Sequence, residues 1–336
     1  MNSMFNIRGL KYVVWDGIRR FRSISNQLYL TIYSTANNPN TRQCQTIVVS
    51  MVDGLVLHGG LTDRLRGILY TYKWCKRNNI DFRINFTDPF PLETFLVPNS
   101  YDWRLKQNEL SKSSSDSHPL YVDVMGMHPW EPYMRNSYFS IAMKRLLKNY
   151  KQVHVYTNLT GIEKEEYTIL FNELFKPSSL LDNAIKNCQQ SMKGRIYIYI
   201  SISFRFLELL GDFVDDGSRN PLPEDEREQL IEKCIHQIEI IRRKAPHHEM
   251  VVVTSDSSTF ISRVSDLPYV YIIPGTIGHM TFAGSNLDIH LKTFLDYYII
   301  ANAQKAYMAR TGNMYRSGFA SHAAMITGIP FEEIVF

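Results

Sequence analysis

The 336-residue sequence is poor in cysteine: Cys44, Cys75, Cys188 and Cys234 lie far apart and form no CxxC pair. Four thiols are too few to staple a chain of this size, so a reducing, cytoplasmic setting is expected. No stretch reaches the ~18 apolar residues of a membrane span. The N-terminus has no apolar core followed by a small-residue cleavage site, so secretion is not expected. The Asn-x-Thr sequons at Asn85 and Asn158 then carry no glycosylation meaning. Charge of one sign is also scarce. With 37 basic and 33 acidic side chains the net charge is +4, which excludes wholesale nucleic-acid binding as the chain's business. Walker A, GxGxxG, HExxH and GxSxG motifs are missing, as is any Cys/His metal spacing, so the common ATPase, dehydrogenase, zinc-protease and hydrolase signatures are lacking. There is no Asp-x-Asp either. A diphosphate ester bound here would be neutralised by Arg and backbone N–H groups instead of a carboxylate-held metal, and neither a metal site nor a resident cofactor is expected.

What is present is a globular composition, 44% hydrophobic and 21% charged, long enough for about two domains. The positive charge is concentrated at one end. Residues 1–45 hold six cations (Arg8, Lys11, Arg19, Arg20, Arg22, Arg42) against Asp16, while the rest of the chain has 31 cations and 32 anions. Read as a helix, residues 4–22 put Ile7, Leu10, Val14, Ile18 and Phe21 on one stripe flanked by Lys11, Arg22, Arg8 and Arg19. Such a segment suits an anionic membrane surface or an ordinary docked helix. From Thr46 onward strands and helices alternate. "TIVVSMV", "IDFRINF", "LYVDVMGM" and "QVHVYTNL" read as strands, and residues 65–79 and 137–149 as helices. Residues 106–119 are Ser-rich and read as a mobile surface loop. Residues 164–186 read as a helical stretch. In the second half "YIYISISF", "EMVVVTSD", "YVYIIPG" and the final "IVF" read as strands. The span 224–245, the span "HLKTFLDYYIIANAQKAYMAR" and the short "SGFASHAAMITG" read as helices. The expected fold is α/β, two Rossmann-like domains facing across a cleft. The expected divisions are a basic segment 1–45, a first domain 46–190 and a second domain 191–336.

Four constellations carry chemistry. His58–Gly67, "HGGLTDRLRG", stands between a strand and a helix, where Gly59, Gly60 and Leu61 let backbone approach an anion and Asp63 or Arg64 can reach a ligand. The alternative is a tight turn with Asp63 as a helix-end charge. Ser203, Arg205 and Glu208 follow a buried strand, and period two puts Ser203 and Arg205 on one face. The Arg fork suits a phosphate, or an internal ion pair with Glu208 or Asp212. Thr254, Ser255, Asp256, Ser257 and Ser258 end another strand, where they either bind a ribose or base edge or cap the next helix. Ser317, Gly318 and Phe319 open a helix with a hydroxyl, backbone amides and an aromatic ring.

In order and spacing these segments resemble the fucosyltransferase-like glycosyltransferases of the GT-B fold, which include bacterial nodulation and α-1,2/α-1,6 fucosyltransferases and the protein O-fucosyltransferases. "GGLTDRLRGI" is similar to their GGxGNRLRxL loop, "SFRFLE" to HxRxxD, "VVTSDS" to their (T/S)-(D/S)-D segment and "SGFASHAA" to their S-x-F-S helix start. The resemblance covers about Ile47 to the C-terminus. It implies inverting, metal-independent transfer of fucose from GDP-fucose to a glycan or lipid-linked glycan, in surface polysaccharide or glycoconjugate synthesis. Arg205 would hold the β-phosphate and Asp256 the guanosine. Ser317, Gly318 and Phe319 would serve the diphosphate and base region, and Gly60, Leu61 and Asp63 would face the diphosphate. Ser203 stands where the family has His, Glu208 where it has Asp, and Thr62-Asp63 where it has Gly-Asn. Asp63 and Glu208 are the candidate bases. His128, Trp130 and Glu131 in "GMHPWEPY" suit an acceptor sugar, or a Pro-turn packed on the core. The remaining alternatives are transfer from another sugar nucleotide, or a non-catalytic sugar-nucleotide or glycan-binding protein. The expected location is cytoplasmic, peripheral on the inner membrane face if residues 1–22 dock there.

Overall fold

The computed structural model describes residues 21–33, 46–124, 130–193, 198–213, 220–245, 250–278, 280, 284 and 286–336. Ile7, Leu10, Val14, Ile18 and His128 lie outside the described residues. The chain forms two compact units, one from the residues up to His58, Asp63–Asp88 and Tyr101–Ile162, the other from Gly59–Thr62, Pro89–Ser100 and Glu163–Phe336.

The first unit contains helix α1 over residues 21–33, β1 (Ile47–Val52), most of α2 (Leu61–Asn78) and β2 (Asp81–Phe86). After β3 (Leu96–Pro98), which belongs to the second unit, it continues with β4 (Ser117–Val122), α3 (Glu131–Asn149) and β5 (Gln152–Thr157). Its strands run parallel in the order β2-β1-β5-β4. Every residue of β1 is buried, as expected for a central parallel strand covered on both faces. Helix α2 turns Leu65, Ile68, Leu69, Tyr72 and Cys75 inward, a helical stripe of the usual spacing. It packs so closely that a Cβ built on Gly67 would lie 1.8 Å from the Thr157 carbonyl oxygen. Strand β4 is the sheet edge, and one side chain of α1 closes it. Gln27 Nε2 donates to the Pro119 carbonyl at 2.9 Å, and the Tyr121 N–H donates to Gln27 Oε1 at 2.8 Å. The amide thus takes the place of a neighbouring strand at the groups an open edge would leave unpaired.

Two readings are corrected here. Helix α3 starts at Glu131, before the expected 137, with Pro132 in its first turn, where its missing N–H costs nothing. The Ser-rich segment 106–119 is pinned in place: Ser111, Ser113 and Ser117 are buried. The Gln152 side chain accepts from Ser111 N–H and donates to the Glu109 carbonyl. The segment's backbone is tied down by a partner 41 residues away, while its hydroxyls bond within the loop, Ser111 Oγ accepting from the Ser113 N–H and Ser117 Oγ donating to the Ser113 carbonyl.

The second unit contains β3, α4 (Lys164–Leu174), β6 (Phe175–Pro177), α5 (Ser179–Lys193), β7 (Tyr199–Phe204), α6 (Glu224–Lys244) and β8 (Met250–Ser255). It then continues with α7 (Ser258–Ser265), β9 (Val270–Ile272), α8 (Leu287–Ala301), β10 (Lys305–Arg310), α9 (Phe319–Thr327) and β11 (Phe331–Val335). The parallel sheet runs β11-β10-β7-β8-β9, and β3 pairs antiparallel with β6. Strand order reverses between β7 and β10, the topological switch point where open α/β sheets bind ligands beyond their carboxyl ends. Alternation on β7 is strict: Ile200, Ile202 and Phe204 enter the core under α6 and α7, leaving Ser201 and Ser203 for the other face.

The stretch 164–186 is two helices interrupted by β6, which ends at Pro177, a residue that cannot continue a helix. The stretch belongs to the second compact unit. Side chains of α4 satisfy carbonyls at and just past the end of α9, with Thr168 Oγ1 donating to Met325 O, Asn172 Nδ2 to Ile326 O and Lys164 Nζ to Ile329 O. The long helix expected over residues 290–310 ends at Ala301, and its last third is strand β10. Lys, Ala and Met favour helices, but pairing with β7 and β11 on both sides outweighs that propensity.

Candidate functional site

The site is built where β7 and β8 end. Arg205 leaves the last residue of β7, and its Nε lies 3.3 Å from Asp256 Oδ2. The same carboxylate accepts from the Phe206 N–H at 2.9 Å and from the Leu207 N–H at 2.7 Å. Leu207 is held at φ +53°, a left-handed conformation that costs a residue with a side chain roughly 1–2 kcal/mol. Asp256 therefore holds a sharp turn that aims Arg205. The guanidinium carbon sits 4.7 Å from the Phe213 ring centroid, a cation–π contact that restrains its other flank. Burial raises the Asp256 carboxyl above its ordinary value, against the opposing pull of Arg205 and the two amides.

The Asp256 side chain is 1% exposed, whereas that of Arg205 is 23% exposed, so Arg205 is the more open of the pair and Asp256 positions it. Asp212, an alternative partner for Arg205, binds α7: its Oδ2 accepts from Ser257 Oγ, Ser258 Oγ and Thr259 N–H. Burial opposes its ionisation but these hydrogen bonds outweigh it, and the Asp212 carboxyl lies below its usual value. Ser257 is the N-cap of α7, accepting from Phe260 N–H at 3.0 Å, and is fully buried. Ser203 Oγ and Thr254 Oγ1 bridge adjacent strands at 2.7 Å. Glu208 is buried in a 3-10 turn.

The remaining donor-side residues gather at α9. Ser317 Oγ accepts from Phe319 N–H at 3.2 Å, and Gly318 is exposed. A Cβ on Gly318 would lie 3.3 Å from His322 Nδ1 and 3.9 Å from Thr62 Cγ2. The glycine turn Gly59–Thr62 and the start of α9 thus adjoin within the second unit. Phe319 is half-buried, its ring edge-on to Tyr297 at 5.0 Å, so it serves packing as well as any ligand. Leu61 is buried. In the first turn of α2 Asp63 accepts from Arg66 at 2.8 Å and stays 39% exposed. Arg64, by contrast, is buried with its guanidinium on the Asp88 carbonyl. Burial brings it down to about 10. It does not reach out as the sequence allowed. Trp130 is exposed and Glu131 is buried, 3.9 Å from Arg135.

One basic residue was missed with β10. Met308 pairs with Ser203 in the sheet, so two residues further Arg310 stands at the register position of Arg205 on the neighbouring strand. Its Nε donates to Glu333 at 2.7 Å, and Arg316 donates to the same carboxylate at 2.9 Å. The signal was the alternation in "AYMAR" before a charged strand end. The arrangement can hold an oxyanion through the Arg205 fork and the N–H groups of two glycine-containing turns.

The switch-point rim and the parallel topology of both units are those of a GT-B-type α/β fold. No protein-family model and no curated protein sequence matches the chain. Among solved structures it is similar to a variant of Arabidopsis thaliana FUT1 in complex with GDP, with TM-score 0.53 and 11% identity over 91% of this chain and 74% of that one. It is also similar to NodZ α-1,6-fucosyltransferase soaked with GDP-fucose, with TM-score 0.52 and 12% identity over 84% of this chain and 92% of that one. At these identities the likeness establishes the fold. Among the described residues no helix is long and apolar enough to cross a membrane.

Proposed function

We propose that this protein is an inverting fucosyltransferase that moves fucose from GDP-fucose to a hydroxyl of a glycan acceptor without a required metal. The observation that carries the reading is Arg205, delivered to the switch point by β7 and held there by a buried carboxylate. In the proposed step the acceptor oxygen bonds to the anomeric carbon, the bond from that carbon to the β-phosphate oxygen breaks, and GDP leaves with the electron pair. Arg205 and the turn amides take up the developing charge. The proton passes to a carboxylate, and Asp63, next in the chain to Thr62 and partly exposed, fits that task better than buried Glu208.

Incubation with a panel of sugar nucleotides, following nucleotide release, tests the donor. GDP-fucose should be consumed fastest, and Arg205→Ala should lower turnover by about 10²–10³. Turnover unchanged in that variant would remove Arg205 from the mechanism. Preference for another sugar nucleotide is the second reading, and it is favoured by Ser203 being tied to Thr254 where the resembling family carries a histidine. If no nucleotide binds in calorimetry, the catalytic reading fails.

The same proposal includes attachment to an anionic leaflet at the cytoplasmic face. Phe21, Ile24, Leu28 and Ile32 are exposed along α1 while Leu30 is buried, and Arg22 lies in its first turn. In the sequence Arg19 and Arg20 come just before it, and an apolar helix face together with cations suits an anionic surface. Sedimentation with phosphatidylserine vesicles should drop for the Ile24→Glu, Leu28→Glu double variant, and retention of full binding would count against attachment through α1.

A further inference from the structure

The first unit holds a cavity of about 310 Å³ whose walls include Tyr33, Asp53, Asn85, Lys112, His154 and Tyr156. It lies on one face of the sheet: Met51 pairs with Asn85, and His154 with Val49 and Pro119. A helix-covered face of a parallel sheet is ordinarily apolar. Here β2 and β5 instead turn Arg83, Asn85, Gln152, His154 and Tyr156 toward it at alternate positions. Most of these are satisfied within the fold. Arg83 is paired with Glu109, Gln152 holds the loop over the sheet, and Asp53 accepts from Tyr156 and from the Leu55 N–H. His154 Nε2 lies 3.2 Å from Gln152 Oε1. That oxygen can only accept, so Nε2 carries the proton and Nδ1 is left as an acceptor. Asn85 and Lys112 make no hydrogen bond or ion pair among the described residues. Lys112 and Thr87 are exposed and mark the mouth.

The cavity therefore offers an amide, an ammonium, an imidazole lone pair, a carboxylate with spare lone pairs and two phenol rings. One positive and one negative group leave it without net preference for an ion. Its volume is at the lower end of the range for ligand pockets, enough for one ring. We infer that it binds a single neutral pyranose residue, whose vicinal hydroxyls match these mixed donors and acceptors and whose apolar face suits the tyrosines. That this sugar belongs to the acceptor rests on the glycosyl-transfer reading; the binding itself does not.

Saturation-transfer NMR with the methyl pyranosides of galactose, glucose and N-acetylglucosamine tests it on the full chain. At least one should bind to wild type. Thr87→Trp, at the exposed mouth, and Asn85→Leu, inside, should each weaken that glycoside by about tenfold or more. Both should leave GDP binding and the thermal unfolding midpoint unchanged. If no glycoside binds, or if both variants bind as wild type does, the inference is overturned. GDP binding without glycoside binding would overturn it while sparing the donor reading; glycoside binding without GDP binding would support it and sink the donor reading.

Discussion

The two parallel sheets place their polar groups differently. In the second unit β7 and β8 are apolar toward α6 and α7, and chemistry is confined to the strand ends, at Arg205, Thr254 and Asp256. In the first unit polar residues stand in mid-sheet, with Arg83, Gln152 and His154 all buried on one face. A rim site faces solvent and suits an anion brought in with its charge. A mid-sheet polar face must be satisfied residue by residue, and it leaves a lined hollow where it is not.

Acid should break the comparison most strongly. Burial lowers His154 from 6.5 to about 4, with the charges of Asp53, Lys112 and His118 as smaller influences. The folded state therefore stays neutral there while the unfolded chain takes up a proton near 6.5. Below that pH the unfolded state binds more protons, so stability should fall across pH 6.5 to 4 by up to about 3 kcal/mol. Urea unfolding at several pH values measures this, and His154→Gln should flatten the curve. If the two units unfold separately, only the first should respond. At the rim, Asp256→Asn should cost about 2 kcal/mol of stability and weaken GDP binding together with it, because the Leu207 turn and Arg205 lose one common anchor. Weakened binding with stability intact would point to direct ligand contact by Asp256. The smallest effect belongs to the sheet edge: Gln27→Ala should cost about 1 kcal/mol and speed hydrogen exchange at the Tyr121 amide, with the second unit unaffected.

Legibility in the sequence followed the same divide. Strands β1, β2, β5, β7 and β8 were readable because each is a short β-branched run between turn residues, and Arg205 because it follows such a run at a strand end. Strand β10 was unreadable because Lys305 to Arg310 has helix-forming composition and becomes a strand only between its neighbours. The pinned loop at 106–119 depends on Gln152, and the anchoring of the Arg205 turn by Asp256 was not legible because its partners lie about fifty residues away. Composition shows a carboxylate after a strand; only tertiary structure shows that both its oxygens are already engaged.

Gly67 has a consequence for recognising relatives of this chain. Glycine inside a helix is worth about 1 kcal/mol less than alanine, so local preference selects against it. It survives where the Thr157 carbonyl leaves no room for a methyl group. It acts as a locating pin that sets how far α2 can slide along β5. In chains too diverged for overall similarity to register, a glycine four residues after the acidic position of this loop should outlast the residues that touch the ligand.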